Sequence, residues 1–249
     1  MNKRLIIFDF DGTLADTNAL ITKTMMMTIH ELGLEERTRE QCAKCIGLPL
    51  ADCFKVLFPI SDEMSEICAK TYRRLFDVNN VSGAVELFPH VYETIQQLYE
   101  KGCVLTIATS RSHQSVMQFL RDFALDKFIT YILGADDVER AKPDPFPVLK
   151  TMDELGFKPE ETWVVGDMVF DILMGQRAGA QTVGVTYGNG TLAELQECHA
   201  DMIINDFGEL LSARISLPEY PPALGGTSQS PQGQQAAPVD YPLQTGLPR

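Results

Sequence analysis

The chain has 249 residues, 45% hydrophobic and 22% charged, which suits one large domain or a core with a smaller insertion. Its formal net charge of -13 disfavours a nucleic-acid backbone as partner, yet leaves room for an anionic metabolite at a locally positive site. The six cysteines form no paired framework, the four histidines are scattered, and no apolar run is long enough for a signal peptide or a membrane span, so the expectation is a soluble cytoplasmic protein with no membrane partner.

The first element is Leu5-Ile6-Ile7-Phe8, a short aliphatic run of the kind that makes a strand buried on both faces. It stops at Asp9-Phe10-Asp11-Gly12-Thr13. Residues i and i+2 of an extended chain share a side, so Asp9 and Asp11 project together from the strand's end. Close carboxylates repel unless a cation or a proton sits between them. Hard oxygen donors with no His or Cys beside them suit magnesium. Gly12 lets the chain turn out of the strand. The same five residues, taken alone, also read as a polar turn.

From Asp16 to about Val85 the strand-like runs give way to helical spacing: Leu20, Met25, Ile29 and Leu32, then Ile67, Tyr72, Leu75 and Phe76. Gly33 closes the first helix and Gly47-Leu48-Pro49 interrupts the middle. Met25-Met26-Met27 is expected to fill an interface between this insertion and the core, and Cys42 and Cys45 to pack rather than to do redox work.

Buried-strand runs resume at Val104, near Tyr131–Leu133, at Trp163–Val165 and at Thr182–Val185. Helices are expected near 90–101, 112–123, 145–155 and 169–178, an alternation that makes a parallel sheet. The run 104–108 ends at Thr109-Ser110-Arg111, whose hydroxyls and N–H groups suit a phosphate oxygen or simply cap a helix. Lys142 lies in Ala141-Lys142-Pro143-Asp144-Pro145, where prolines restrict the backbone around an ammonium able to neutralise phosphate. Asp167 ends the run at 163–166, and Asp171, four residues on, faces the same mouth if a helix starts between them. From about Pro218 the chain turns rich in Pro, Gln, Gly and Ser, and a disordered tail is expected over 218–249.

Four carboxylate-, hydroxyl- and lysine-bearing segments, each at or after a buried run, point to phosphoryl transfer. In order and spacing they resemble the haloacid dehalogenase superfamily, in its phosphoglycolate phosphatase-like branch; the match runs from about Arg4 to about Gly208 and includes Ile172 to Ala180 and Thr182 to Gly188. The resemblance implies an α/β fold with a Rossmann-like, doubly wound parallel core over 1–15 and 86–215 and an inserted all-helical cap over 16–85. It also implies that Asp9 is the nucleophile and forms an aspartyl-phosphate, and that Asp11 serves as general acid and base. Magnesium would be held by Asp9, Asp167 and the Asp11 carbonyl, with Asp171 supporting from behind. Thr109, Ser110 and Lys142 would bind the phosphoryl oxygens, and Lys44 or Gly47 would touch the leaving group. Arg111, beside Thr109-Ser110, is a further candidate for an anionic substrate, and reads equally as a solvated arginine at a helix start.

The substrate implied is a small phosphate monoester such as phosphoglycolate or a sugar phosphate; oligomeric state is left open. Asp11 and Asp167 count against dehalogenation. The first histidine is His30, not one close behind Asp16-Thr17, which weakens a β-phosphoglucomutase-like reading. No cap lysine stands out as a Schiff-base former. A mutase, an inorganic pyrophosphatase of the same branch, and an inactive binding protein on the same fold remain the alternatives.

Overall fold

The run Leu5–Phe8 forms a strand with every side chain buried, and the sheet is built outward from it. The computed structural model describes residues 3–81 and 83–212. The expected tail at 218–249 and the last three residues of the core range ending at 215 lie outside these.

In chain order, β1 (Leu5–Phe8) and β2 (Ala15–Asp16) precede α1 (Asn18–Glu31), α2 (Arg39–Ala43), α3 (Leu50–Leu57) and α4 (Asp62–Asn79). Then follow β3 (Glu86–Leu87), α5 (Val91–Glu100), β4 (Val104–Ala108), α6 (His113–Asp122), β5 (Ile129–Leu133), α7 (Phe146–Leu155), β6 (Thr162–Gly166), α8 (Val169–Arg177), β7 (Gln181–Val185), α9 (Leu192–Glu197) and β8 (Met202–Ile204). The main sheet has six strands in the order β5-β4-β1-β6-β7-β8, all neighbours parallel.

Alternation along β1 assigns its side chains to two faces. Leu5 and Ile7 pack with Val148 and Met152 of α7 and Met174 of α8. Ile6 and Phe8 join the other core, with Ile95 and Leu98 of α5, Val116 and Leu120 of α6, and Phe207. The sheet is therefore wound on both sides. The chain adds β4 and β5 to one side of β1 and then crosses to β6, so the order reverses at β1 and a crevice opens at the carboxyl ends of β4, β1 and β6.

The helices α1 to α4 enter and leave through β2 and β3, an antiparallel pair that joins Ala15 to Leu87 and Asp16 to Glu86. Gly33, with φ of +64°, ends α1 in the left-handed conformation that a side chain resists. Three buried threonines of α1 satisfy their hydroxyls on their own helix: Thr22 on Asn18 O, Thr24 on Leu20 O and Thr28 on Thr24 O, at 2.7 to 2.8 Å. Among the described residues no helix is long and apolar enough to cross a membrane.

Some expectations change. Ile67 is 45% exposed, because the buried stripe of α4 runs through Cys68, Ala69, Tyr72, Leu75 and Phe76. Of the methionine triplet only Met25 is buried; a helix cannot turn three consecutive residues inward, and Met26 and Met27 line a hollow of about 740 Å³ between α1, the approach to α2 and α4. Cys42 and Cys45 are buried free thiols, and Cys53 Sγ donates to the Cys45 carbonyl at 2.9 Å, as packing residues do. The ribbon β2–β3, the edge strand β8 and the short α9 carry too few apolar residues to be seen as periodic runs.

Phe8 is fully buried, with its ring 5.6 Å from that of Phe207. Replacing it by alanine should cost about 3–5 kcal/mol. Urea unfolding followed by circular dichroism reads the loss directly, and a cost below about 1 kcal/mol would contradict the packing described.

Candidate active site

After β1 the chain must turn sharply, and the Phe10 carbonyl accepts from the N–H groups of Thr13, Leu14 and Ala15. Gly12 sits in this turn with φ of +88°, and a Cβ there would collide with the carboxylate of Asp167 and the amide of Asn189. Glycine is needed twice over, for conformation and for approach.

Asp9 leaves the end of β1 with its N–H on Val165 O and its side chain buried. Lys142, preceding a cis peptide bond to Pro143, extends its ammonium to Asp9 Oδ1 at 2.5 Å and to Asp171 Oδ1 at 2.7 Å. Asp171 lies in the first turn of α8 and its second oxygen accepts from Met168 N–H at 3.1 Å, closing the start of the helix. Gly166 makes room for it, since a Cβ at 166 would strike the Asp171 side chain. Asp9 Oδ2 has no hydrogen-bond donor among the described residues.

Asp167, fully buried, takes Thr13 Oγ1 at 3.2 Å on one oxygen and both Asn189 N–H at 2.6 Å and Asn189 Nδ2 at 3.0 Å on the other. One oxygen each from Asp9, Asp167 and Asp171 lie within 4.8 Å of one another. Of these three buried carboxylates two share one ammonium and Asp167 has none. Burial pushes Asp9 well above the carboxylate range despite Lys142, with Asp171, Asp167 and Asp11 adding to the rise. Burial, with Asp171, raises Asp167 to about 7 against the hydrogen bonds of Asn189 and Thr13. Lys142 is drawn down by burial but held above its usual value by Asp171 and Asp9. The donor set fits a hard divalent cation: it is all oxygen, dry and short of positive charge.

Thr109 follows β4, its N–H bonded to Leu133 O at 3.0 Å. Its hydroxyl accepts from Arg111 N–H at 3.2 Å, and the hydroxyl proton has no acceptor among the described residues. Thr109 and Lys142 line the same small cleft. Ser110 is engaged differently from the expectation: its hydroxyl donates to the Gly47 carbonyl at 2.6 Å, which ties the helical insertion to the core. Gly47 has φ of +100° and a Cβ there would lie 3.3 Å from Phe170 Cδ2, so this loop does reach the mouth. Lys44 is exposed and its field acts on Glu194, away from the carboxylates.

Arg111 is neither solvated nor free for a ligand. Its side chain is 8% exposed, and Nε and Nη2 bond both oxygens of Asp11, at 3.2 and 2.5 Å. The Asp11 carboxylate therefore points at Arg111 and is not among the three that cluster.

Two participants were not anticipated. Asn189 holds Asp167 and in turn accepts from Asn18 Nδ2 of α1 at 2.7 Å. Thr13 orients Asp167 from the turn. The available signal was Gly188-Asn189-Gly190, where a Cβ on either glycine would meet Gly12 or Asp167 atoms: paired glycines mark a backbone that must come close.

A family model described as haloacid dehalogenase-like hydrolase matches residues 6–185. The chain is 37% identical over 211 residues to a protein named pyrophosphatase PpaX of Halalkalibacterium halodurans, covering 85% of this chain and 96% of the relative. It is 38% identical over 213 residues to one of the same name from Anoxybacillus flavithermus, covering 85% and 97%. A crystal structure of a haloacid dehalogenase-like hydrolase from Bacteroides fragilis superposes with a TM-score of 0.79 at 30% identity, over 84% of this chain and 99% of that one.

Folding raises Asp9 and Asp167 above their unfolded values, so the cluster's contribution to metal-free stability is full below the unfolded value of 3.8 and is lost as pH rises through about 7. A bound cation relieves that loss. The gain in melting temperature from magnesium over EDTA should be larger at about pH 8 than at about pH 5. Asp167→Asn should shrink this difference, and equal gains at both pH values in the wild type would contradict the assignment. Gly166→Ala should displace Asp171 and with it Lys142, and so reduce the magnesium-induced gain while leaving far-UV circular dichroism unchanged.

Proposed function

The chain belongs to the haloacid dehalogenase-like hydrolase family, and on that premise we propose that it is a magnesium-dependent phosphatase acting on a small phosphate monoester through an aspartyl-phosphate. The observation that carries the reading is the Asp9–Lys142–Asp171 array, in which Lys142 fixes one oxygen of Asp9 and leaves the other without a donor. A scaffold has no use for three clustered buried carboxylates of which only two are matched by a lysine.

Asp9 attacks phosphorus through its free oxygen, the phosphorus–oxygen bond to the leaving group breaks, and Asp11, once released from Arg111, which holds both its oxygens in this structure, carries a proton to the departing oxygen. Asp11 then takes a proton from the water that hydrolyses the acyl phosphate and frees Asp9. Thr109 donates its hydroxyl proton to a phosphoryl oxygen, and Lys142 adds positive charge where charge spreads in the transition state. Asp9, Asp167 and the Asp11 carbonyl would hold magnesium, which supplies charge neutralisation that lets a carboxylate approach an anionic phosphate. Asp171 keeps Lys142 aimed. The helices α1 to α4 act as a cap, joined to the mouth by Ser110 on Gly47 and Asn18 on Asn189, and exclude water. Six free cysteines, five of them buried, support residence in a reducing compartment such as the cytoplasm.

A second reading, inorganic pyrophosphate as substrate, is favoured by the names of the two relatives at 37% and 38% identity. The same residues serve either phosphoryl donor.

Phosphate release from a panel of phosphoglycolate, sugar phosphates, nucleotides and pyrophosphate, with magnesium or EDTA, decides between them. We expect magnesium-dependent release confined to a few compounds, and a loss of at least about a thousandfold in Asp9→Asn. Release confined to pyrophosphate would establish the second reading. Magnesium-dependent turnover surviving in Asp9→Asn would remove the nucleophile.

A further inference from the structure

Asp167 is the one member of the carboxylate cluster that Lys142 does not touch, and its hold comes from elsewhere. Its Oδ2 accepts twice from one residue, from the Asn189 N–H at 2.6 Å and from Asn189 Nδ2 at 3.0 Å, while Oδ1 accepts once, from Thr13 Oγ1 at 3.2 Å. A carboxylate oxygen offers about two acceptor directions. Both directions of Oδ2 are therefore taken, and one on Oδ1 remains. Of the oxygens of Asp9, Asp167 and Asp171, Asp167 Oδ2 alone has two donors among the described residues.

The Asn189 amide is steered in turn. Its Nδ2 has to face the carboxylate, because an oxygen there would be repelled, so its Oδ1 faces the helical insertion. There Asn18, the first residue of α1, meets it with Nδ2 at 2.7 Å, and the Asn18 Oδ1 left over accepts from Arg39 Nη2 of α2 at 3.4 Å. Every donor in this row points toward Asp167, with a guanidinium at one end and a carboxylate at the other. Hydrogen bonds aligned in that way strengthen one another. A side-chain amide suits both middle places, since each needs a donor and an acceptor on opposite sides. The backbone adds to the fit: a Cβ on Gly188 or Gly190 would collide with Asp167 atoms, so the loop that carries Asn189 lies directly against the carboxylate it holds.

We propose that Asn189, steered by Asn18 of the insertion, is the positioning residue that closes Asp167 Oδ2 to a cation, so that Asp167 ligates through Oδ1 alone and the site takes magnesium in preference to calcium. This rests on the reading of the carboxylate cluster as a cation site. Magnesium is small, keeps close to octahedral geometry and suits one oxygen per carboxylate; calcium accepts more oxygens at longer distances and readily takes both from one carboxylate. A direction freed on Oδ2 therefore helps calcium, while the looser Asp167 costs magnesium.

The test needs no turnover. Magnesium and calcium are each titrated alone into metal-free protein at about pH 8, and the rise of melting temperature with ion concentration gives a Kd for each. In Asn189→Ala the magnesium Kd should rise about tenfold and the calcium Kd less than about threefold, so that the preference for magnesium falls. Asn18→Ala, which leaves every atom around Asp167 in place, should move the preference the same way by a smaller factor. Both Kd values rising together in Asn189→Ala would mark general damage to the site and overturn the proposal, as would an unchanged preference or a wild type that favours calcium. A wild type that binds neither ion would sink the cation-site reading itself, and the proposal with it.

The steering has its own readout. The Asn189 side-chain amide protons in proton–nitrogen spectra of the metal-free protein should shift in Asn18→Ala. Resonances that stay in place would show the two amides unlinked and overturn the proposal whatever the ions do.

Discussion

The structure turns on one ammonium. Lys142 stands between Asp9 and Asp171 with about 5% of its surface exposed, and it is the only cation touching the Asp9, Asp167 and Asp171 cluster among the described residues. Buried ion pairs seldom add stability, because desolvation offsets the attraction, and here two carboxylates share one lysine while a third has none. The fold has to supply that energy from elsewhere. It does so through β1, whose four residues bury alternately against α7 and α8 on one face and α5 and α6 on the other. The site is therefore placed where the most apolar strand ends, at the reversal of strand order, where three strand ends and the Lys142 loop converge on a few ångströms.

The helical insertion is bound to that point by contacts of three different kinds. Ser110 and Gly47 share a hydrogen bond, Asn189 joins Asp167 to Asn18, and Phe76 lies on the guanidinium that holds Asp11. Each begins on a residue next to or bonded to the chemistry. The insertion is thus joined to the site through named atoms, and its two ends meet in the two-residue ribbon of β2 and β3.

Much of this was legible in the sequence, for a physical reason. Strands buried on both faces read as unbroken apolar runs, so β1, β4, β6 and β7 declared themselves, and the polar residues closing three of those runs had to lie along one edge of a parallel sheet. Lys142 and Asp171 were legible as charge flanked by turn and helix-start signals. Other features had no such mark. The short β8 and the β2–β3 ribbon lack the length to show a period. Arg111 sits in a motif that fixes only backbone placement, and whether its side chain meets solvent, ligand or Asp11 depends on aromatic rings at positions 10, 76 and 119, far apart in sequence. Ser110 was expected on phosphate together with Thr109 because both bring hydroxyls to a strand end, but adjacent residues leaving a strand point to opposite sides, and Ser110 meets the insertion instead.

An ester and pyrophosphate differ at the leaving group, and chiefly in charge. Pyrophosphate presents further anionic oxygens where an ester presents an alcohol, so it asks for cations beyond those that meet the transferred phosphoryl group. Lys142 is matched by Asp9 and Asp171, and Arg111 by Asp11. On the proposed reading further positive charge would come from the insertion, where Arg39 reaches Asn18 Oδ1 at 3.4 Å and Asn18 is two hydrogen bonds from Asp167, while Lys44 is turned to Glu194. Arg39 is not among the residues to which that reading gives the transfer, so the choice between an ester and pyrophosphate would rest on side chains other than those that meet the transferred phosphoryl group.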